Sequence, residues 1–161
     1  QRKSSAEDAM QSMMRYFIML MTAAVLLLPA VPSAAQSAPA AKPDLAVDKI
    51  YLNPSGHVVV EIRNAGPGSL PEKAWDASQA YTACFVIMIG VQFADYAALW
   101  AADPDRALKN PGGSITYTST IRIQEPTRVR VWLDPTDQVE DASRANNVKE
   151  VLLKPEPVKS N

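Results

Sequence analysis

Thr127-Arg128-Val129-Arg130-Val131-Trp132-Leu133 is the most regular stretch of the sequence. Apolar and polar residues alternate with a period of two, so successive side chains leave opposite faces of an extended chain. Val129, Val131 and Leu133 take one face; Arg128, Arg130 and Trp132 take the other. Such a strand lies in an antiparallel sheet, with a core on one side only. Pro126 and Pro135 bracket it. The same period recurs upstream. Val58, Val60 and Ile62 oppose Val59, Glu61 and Arg63. Ile115, Tyr117, Ile121 and Ile123 oppose Thr116, Thr118, Thr120 and Arg122.

Turn residues separate these runs. Asn53-Pro54-Ser55-Gly56 predicts a tight hairpin, Asn64-Ala65-Gly66-Pro67-Gly68 closes the strand after it, and Pro111-Gly112-Gly113 introduces another. The first strand switches its apolar parity between Val47 and Ile50, which predicts a bulge or a crossing between sheets. Residues 81–93 are apolar on both faces. Residues 94–108 suit a short helix or an irregular edge strand, with Asp103-Pro104 resembling a helix start. Seven strands are expected, near 44–52, 57–64, 81–93, 95–101, 113–124, 127–134 and 146–153. Seven short antiparallel strands predict an all-β, immunoglobulin-like sandwich.

Composition narrows the function. The 161 residues carry 16 Lys and Arg against 17 Asp and Glu, which disfavours a nucleic-acid binder acting through bulk charge. One Cys and one His exclude an intrachain disulfide framework and most structural zinc sites. Near the N-terminus, Arg15 precedes an apolar run from Tyr16 to Leu28. Pro29, Pro32 and the small residues Ser33-Ala34-Ala35 follow. The run is shorter than the roughly 20 residues of a bilayer span and has the order of a secretory signal. The expected organisation is an upstream extension and signal peptide over 1–35, an Ala/Pro linker over 36–43, a sandwich over 44–153 and a Pro-containing tail over 154–161. Cleavage after Ala35 leaves 126 residues, placed in the periplasm or secreted, with no membrane span.

Pro43-Asp44-Leu45-Ala46-Val47, Asn64-Ala65-Gly66, Pro111-Gly112-Gly113-Ser114, Val129-Arg130-Val131-Trp132-Leu133-Asp134, Val139-Glu140 and Asn146-Asn147 occur in that order. Together they resemble the CARDB family, a cell-adhesion-related domain of bacteria. The resemblance implies an immunoglobulin-like fold and an adhesion or scaffolding role, and supplies no catalytic residues. Two departures stand out. Arg144 lies where the family usually has an acid, and the 69–108 region is long for the module.

Few residues suggest chemistry. His57 follows a tight turn with no triad partners in evidence. Cys84 sits in an apolar stretch, where a free thiol behaves as a small buried hydrophobe. Asp134, Asp137, Glu140 and Asp141 are oxygen-rich, but their spacing is not that of an EF-hand, so backbone capping is expected of them and of Asn146 and Asn147. No cofactor and no metal are expected. The outward face of the sixth strand is the candidate partner-binding surface: Trp132, Arg130 and Arg128, with Met88 and Val86 beside them if the third strand pairs with the sixth. Trp and Arg are enriched at binding hot spots. The expected function is an exported, non-catalytic binding or adhesion module recognising a protein or cell-surface polymer. Two alternatives stand beside it. One is an exported glycan hydrolase using an acidic pair such as Asp134 and Glu140. The other is a structural envelope subunit pairing through a strand edge.

Overall fold

The structure, a computed structural model, describes residues 40–78 and 82–155. The expected signal segment, residues 36–39 of the linker and the tail beyond 155 lie outside the described residues. Seven strands run in chain order: β1 (Leu45–Leu52), β2 (His57–Asn64), β3 (Cys84–Ile89), β4 (Gln92–Ala98), β5 (Ser114–Arg122), β6 (Thr127–Leu133) and β7 (Val148–Leu153). They form two antiparallel sheets, one ordered β1-β2-β5 and the other β4-β3-β6-β7. The expected all-β, immunoglobulin-like sandwich is therefore the fold.

Alternation builds the core. Val58, Val60 and Ile62 of β2 are fully buried, as are Phe85 and Ile87 of β3 and Val129 and Val131 of β6. Phe85 meets Tyr117 of β5 edge-on, with ring centres 5.0 Å apart and planes at 80°. Such a pair adds about 0.5–1.5 kcal/mol to the area buried. Ser119 also faces inward, and its hydroxyl donates to Asp95 of β4, which accepts from Tyr117 Oη as well. That inward carboxylate supplies the partner a buried hydroxyl requires.

Several local expectations change. β1 carries the expected irregularity, a register shift between Val47 and Lys49. The run 81–93 is not one strand. Gly90 adopts φ +60 and Val91 stands 91% exposed at the tip of a two-residue turn, so β3 ends at Ile89 and β4 starts at Gln92. An apolar tip residue hid that turn from the hydrophobic pattern. Val59 points to the outer side of its sheet yet is 3% exposed, between Tyr51 and Thr118 in the ladder. Asp103 does not start a helix at Pro104. It ends a single helical turn, Leu99–Ala102, and its carboxylate accepts from the amides of Ala107 and Leu108. The last strand starts at Val148, because Arg144–Asn146 forms a 3-10 turn.

The long 69–108 region also supplies part of the core. Leu70, Ala74, Trp75 and Leu108 join the buried cluster. The Arg106 guanidinium lies 5.9 Å from the centre of the Trp75 ring, and both Arg106 and Lys109 pair with Glu72.

Candidate functional site

The outer face of the four-stranded sheet follows from the ladders. Tyr96, Val86, Trp132 and Val148 form one row across all four strands. Phe93, Met88, Arg130 and Glu150 form the next, and Arg128 sits beside Leu152. The five candidate residues Trp132, Arg130, Arg128, Met88 and Val86 thus share one surface. Sequence reasoning missed its outer members, Tyr96, Phe93, Val148, Glu150 and Leu152. β7 mixes Val148, Glu150 and Leu152 with Lys149, Val151 and Leu153, so alternation alone does not separate its faces. Lys149 takes the inner side at the sheet edge, where its ammonium reaches the Asp48 carbonyl at 2.6 Å.

Eight large apolar side chains are exposed among the described residues, and five of them, Phe93, Tyr96, Trp132, Val148 and Leu152, lie on this face. Trp132 is 42% exposed. Among the described residues the cation–π pair found is that of Arg106 and Trp75, away from this face's arginines. Glu150 holds both arginines of the face: Arg130 Nη2 lies 2.8 Å from Glu150 Oε2, and Arg128 Nη1 3.4 Å from Oε1. The surface therefore offers an apolar row flanked by a charged cluster of net charge +1.

The acidic turn is a different kind of place. Asp134 adopts φ +45 and is 2% exposed. Its two oxygens accept from the amides of Gln138 (3.0 Å) and Val139 (2.8 Å), the expected capping role. Arg144, the departure from the CARDB pattern, donates to the Asp134 carbonyl at 3.1 Å, lies 3.3 Å from the Asp134 carboxylate and pairs with Asp137. Glu140 stands in solvent on Lys42, 2.6 Å away, and that ammonium holds its carboxyl below the usual range. Both carboxylates of the postulated hydrolytic pair are thus already engaged.

Asp141 accepts from the backbone amides of Leu45 and Ser143, both at 3.2 Å. Burial pushes its carboxyl up, with the neighbouring Asp44 carboxyl acting in the same direction against the hydrogen bonds it accepts. Asn146 and Asn147 depart from expectation. Their side chains do not cap backbone amides but donate to Asp44 and Asp141, each at 3.0 Å.

His57 is half-buried at the hairpin exit, where its backbone amide donates to Asn53 Oδ1 at 3.0 Å. Cys84 is 7% exposed. Burial pushes its thiol up, and the nearby Asp134 carboxylate adds to the shift, so it is a poor nucleophile at neutral pH. Among the described residues no helix is long and apolar enough to cross a membrane, and no three His, Cys, Asp or Glu side chains converge as metal ligands.

No protein-family model matches the sequence, and no curated protein matches it. Among solved structures, the chain is similar to the CARDB domain of a Pyrococcus furiosus protein, crystallised in complex with di-metal ions. The likeness covers 70% of this chain and 94% of that one, at 17% identity and a TM-score of 0.45.

Proposed function

We infer that the protein is an exported, non-catalytic binding module whose partner docks on the outer face of the four-stranded sheet. The observation that carries this reading is the concentration of exposed large apolar side chains on that face, centred on Trp132 and flanked by Arg128, Arg130 and Glu150. A contiguous apolar patch with a polar rim is the usual form of an interaction site, and Trp, Tyr and Arg are the residue types that dominate binding energies. The partner is a protein or a cell-envelope polymer. Export is supported by Arg15, the short apolar run 16–28 and Ser33-Ala34-Ala35.

The test immobilises the full chain and exposes it separately to solubilised envelope protein and to purified cell-wall polysaccharide. One of the two is retained by the parent chain. Trp132→Ala abolishes that retention, whereas Thr118→Ala, on the outer side of the other sheet, preserves it. Equal retention by parent and Trp132→Ala overturns the reading, as does the absence of retention from both preparations.

A further inference from the structure

We propose that the cleft at the end of the sandwich remote from Asp44 binds an acidic polysaccharide, whose charged groups are held by Arg122 and Lys154. The β1–β2 hairpin, the residues leaving β5 and the residues leaving β7 border a space of about 920 Å3 there, within the roughly 300–1,000 Å3 of ordinary ligand sites. Arg122 ends a strand of the three-stranded sheet, and Lys154 directly follows the last strand of the four-stranded one, so each sheet contributes one cation. The cleft meets the outer face that carries Trp132 at Leu152 and is otherwise separate from it.

The cleft is one-signed. Neither Asp nor Glu lines it, although the chain as a whole has 17 acidic residues against 16 basic ones. Arg122 and Lys154 are both exposed and take part in none of the ion pairs among the described residues. On the outer face around Trp132, by contrast, Glu150 already holds both arginines. The Arg122 side chain is also placed. It lies along the hairpin, where a Cβ added at Gly56 would stand 3.5 Å from its Cγ and from its Nε. An arginine laid against backbone loses less rotamer freedom when it closes on an oxyanion. A recess lined by one sign of charge focuses the field and draws in the opposite charge.

The other lining groups suit a sugar as the body that carries the charge. Asn53 Oδ1 is committed to the amides of Ser55 and His57, which leaves its Nδ2 to donate to a ligand. Ser55 and Gln124 are exposed and add groups that both donate and accept, as sugar hydroxyls do. Tyr51 is 38% exposed and supplies an aromatic surface for the apolar side of a sugar ring. An acidic peptide would instead look for unpaired main chain on which to add a strand. The hairpin's main chain is consumed: the Asn53 amide donates to the His57 carbonyl, that of Gly56 to Asn53 and that of Ile123 to Gly56. The charge on the sugar is a carboxylate or a phosphate, both of which match an Arg fork and a Lys point charge.

The experiment titrates the full chain by calorimetry with four soluble polymers. Oligogalacturonate carries carboxylates, its methyl ester keeps the backbone and loses the charge, a phosphomannan fragment carries phosphates, and poly-glutamate is an acidic peptide. The expected result is saturable binding of oligogalacturonate or phosphomannan, weakening as salt rises. The tighter of the two identifies the anion. Arg122→Gln and Lys154→Gln each weaken that binding about tenfold, and Lys73→Gln, which removes an exposed cation outside the cleft, leaves it unchanged. Should a variant fail to fold, the parent chain decides, because methyl esterification abolishes binding of oligogalacturonate and enzymatic removal of the phosphates abolishes that of phosphomannan. Absence of binding to both acidic sugars overturns the proposal. So does equal binding of the charged and uncharged forms, equal weakening by Lys73→Gln, or tighter binding of poly-glutamate.

Discussion

Replacing Trp132 with Ala separates a docking surface from a packed core. The indole is 42% exposed, so somewhat more than half of its surface is covered, with Val86 and Val148 as its cross-strand neighbours. A tryptophan of roughly 200–250 Å² then has about 120 Å² covered, worth about 3 kcal/mol at ~25 cal/mol per Å² as an upper bound. Residual burial in the unfolded chain reduces the figure, and no enclosed cavity is left on an open face, so about 2 kcal/mol is expected. A fully buried tryptophan would cost about 3–5 kcal/mol. Urea denaturation reads the first quantity. The partner identified by retention reads the second, with an affinity loss of more than about 2 kcal/mol, roughly thirtyfold in Kd. A stability loss above about 4 kcal/mol would show that Trp132 is core. Unchanged affinity in a folded variant would remove this face from the interaction.

Arg130→Ala leaves Glu150 to Arg128 alone, so it should chiefly slow association and alter its salt dependence, measured by stopped-flow mixing. Asp134→Ala strips the acceptors from the amides of Gln138 and Val139 and should cost about 1–3 kcal/mol in denaturant unfolding. Gly68→Ala would place a Cβ 2.1 Å from the Ala41 carbonyl oxygen, against the backbone of Ala41 and Lys42, so its thermal midpoint should fall well below the parent's. Cys84 gives a pH signature. Its thiol is raised in the folded state, so the unfolded thiol ionises first. Stability is therefore intact below the usual thiol range of about 8.5 and declines as pH climbs through it. Urea midpoints at neutral and alkaline pH should show that decline in the parent and a smaller one in Cys84→Ser. Adding reductant at neutral pH should change neither.

Strict alternation made β2, β5 and β6 legible, because one apolar face and one polar face leave no choice of register. The hairpin at Asn53–Gly56 was legible for a related reason: Asn53 Oδ1 accepts from the amides of Ser55 and His57, local chemistry that residue type alone specifies. The β3–β4 turn was not, since Val91 continues an apolar run while standing in solvent. The candidate face was half legible. Trp132 and its arginines declared themselves by parity, and pairing of the third strand with the sixth brought in Val86 and Met88. Tyr96, Val148 and Glu150 lie across pairings with β4 and β7, whose own sequences do not separate inside from outside. The orphaned amide oxygens of Asn146 and Asn147 were beyond sequence altogether, because they arise where those side chains pack beside Asp44 and Asp141 in the folded chain.

The first and last strands run in the same direction along the sandwich. Asp44 and Asn146 meet at one end, while the end of β1 and the end of β7 line a common cleft at the other, through Leu52 and Leu153. A pull applied between residue 44 and residue 153 is therefore directed lengthwise along both strands. Seven residue pairs join β1 to β2 and six join β6 to β7, and such a pull loads each ladder in shear. Bonds sheared together share the load, whereas bonds peeled from one end fail singly. The fold thus sets both of its terminal ladders to resist such a pull together rather than bond by bond.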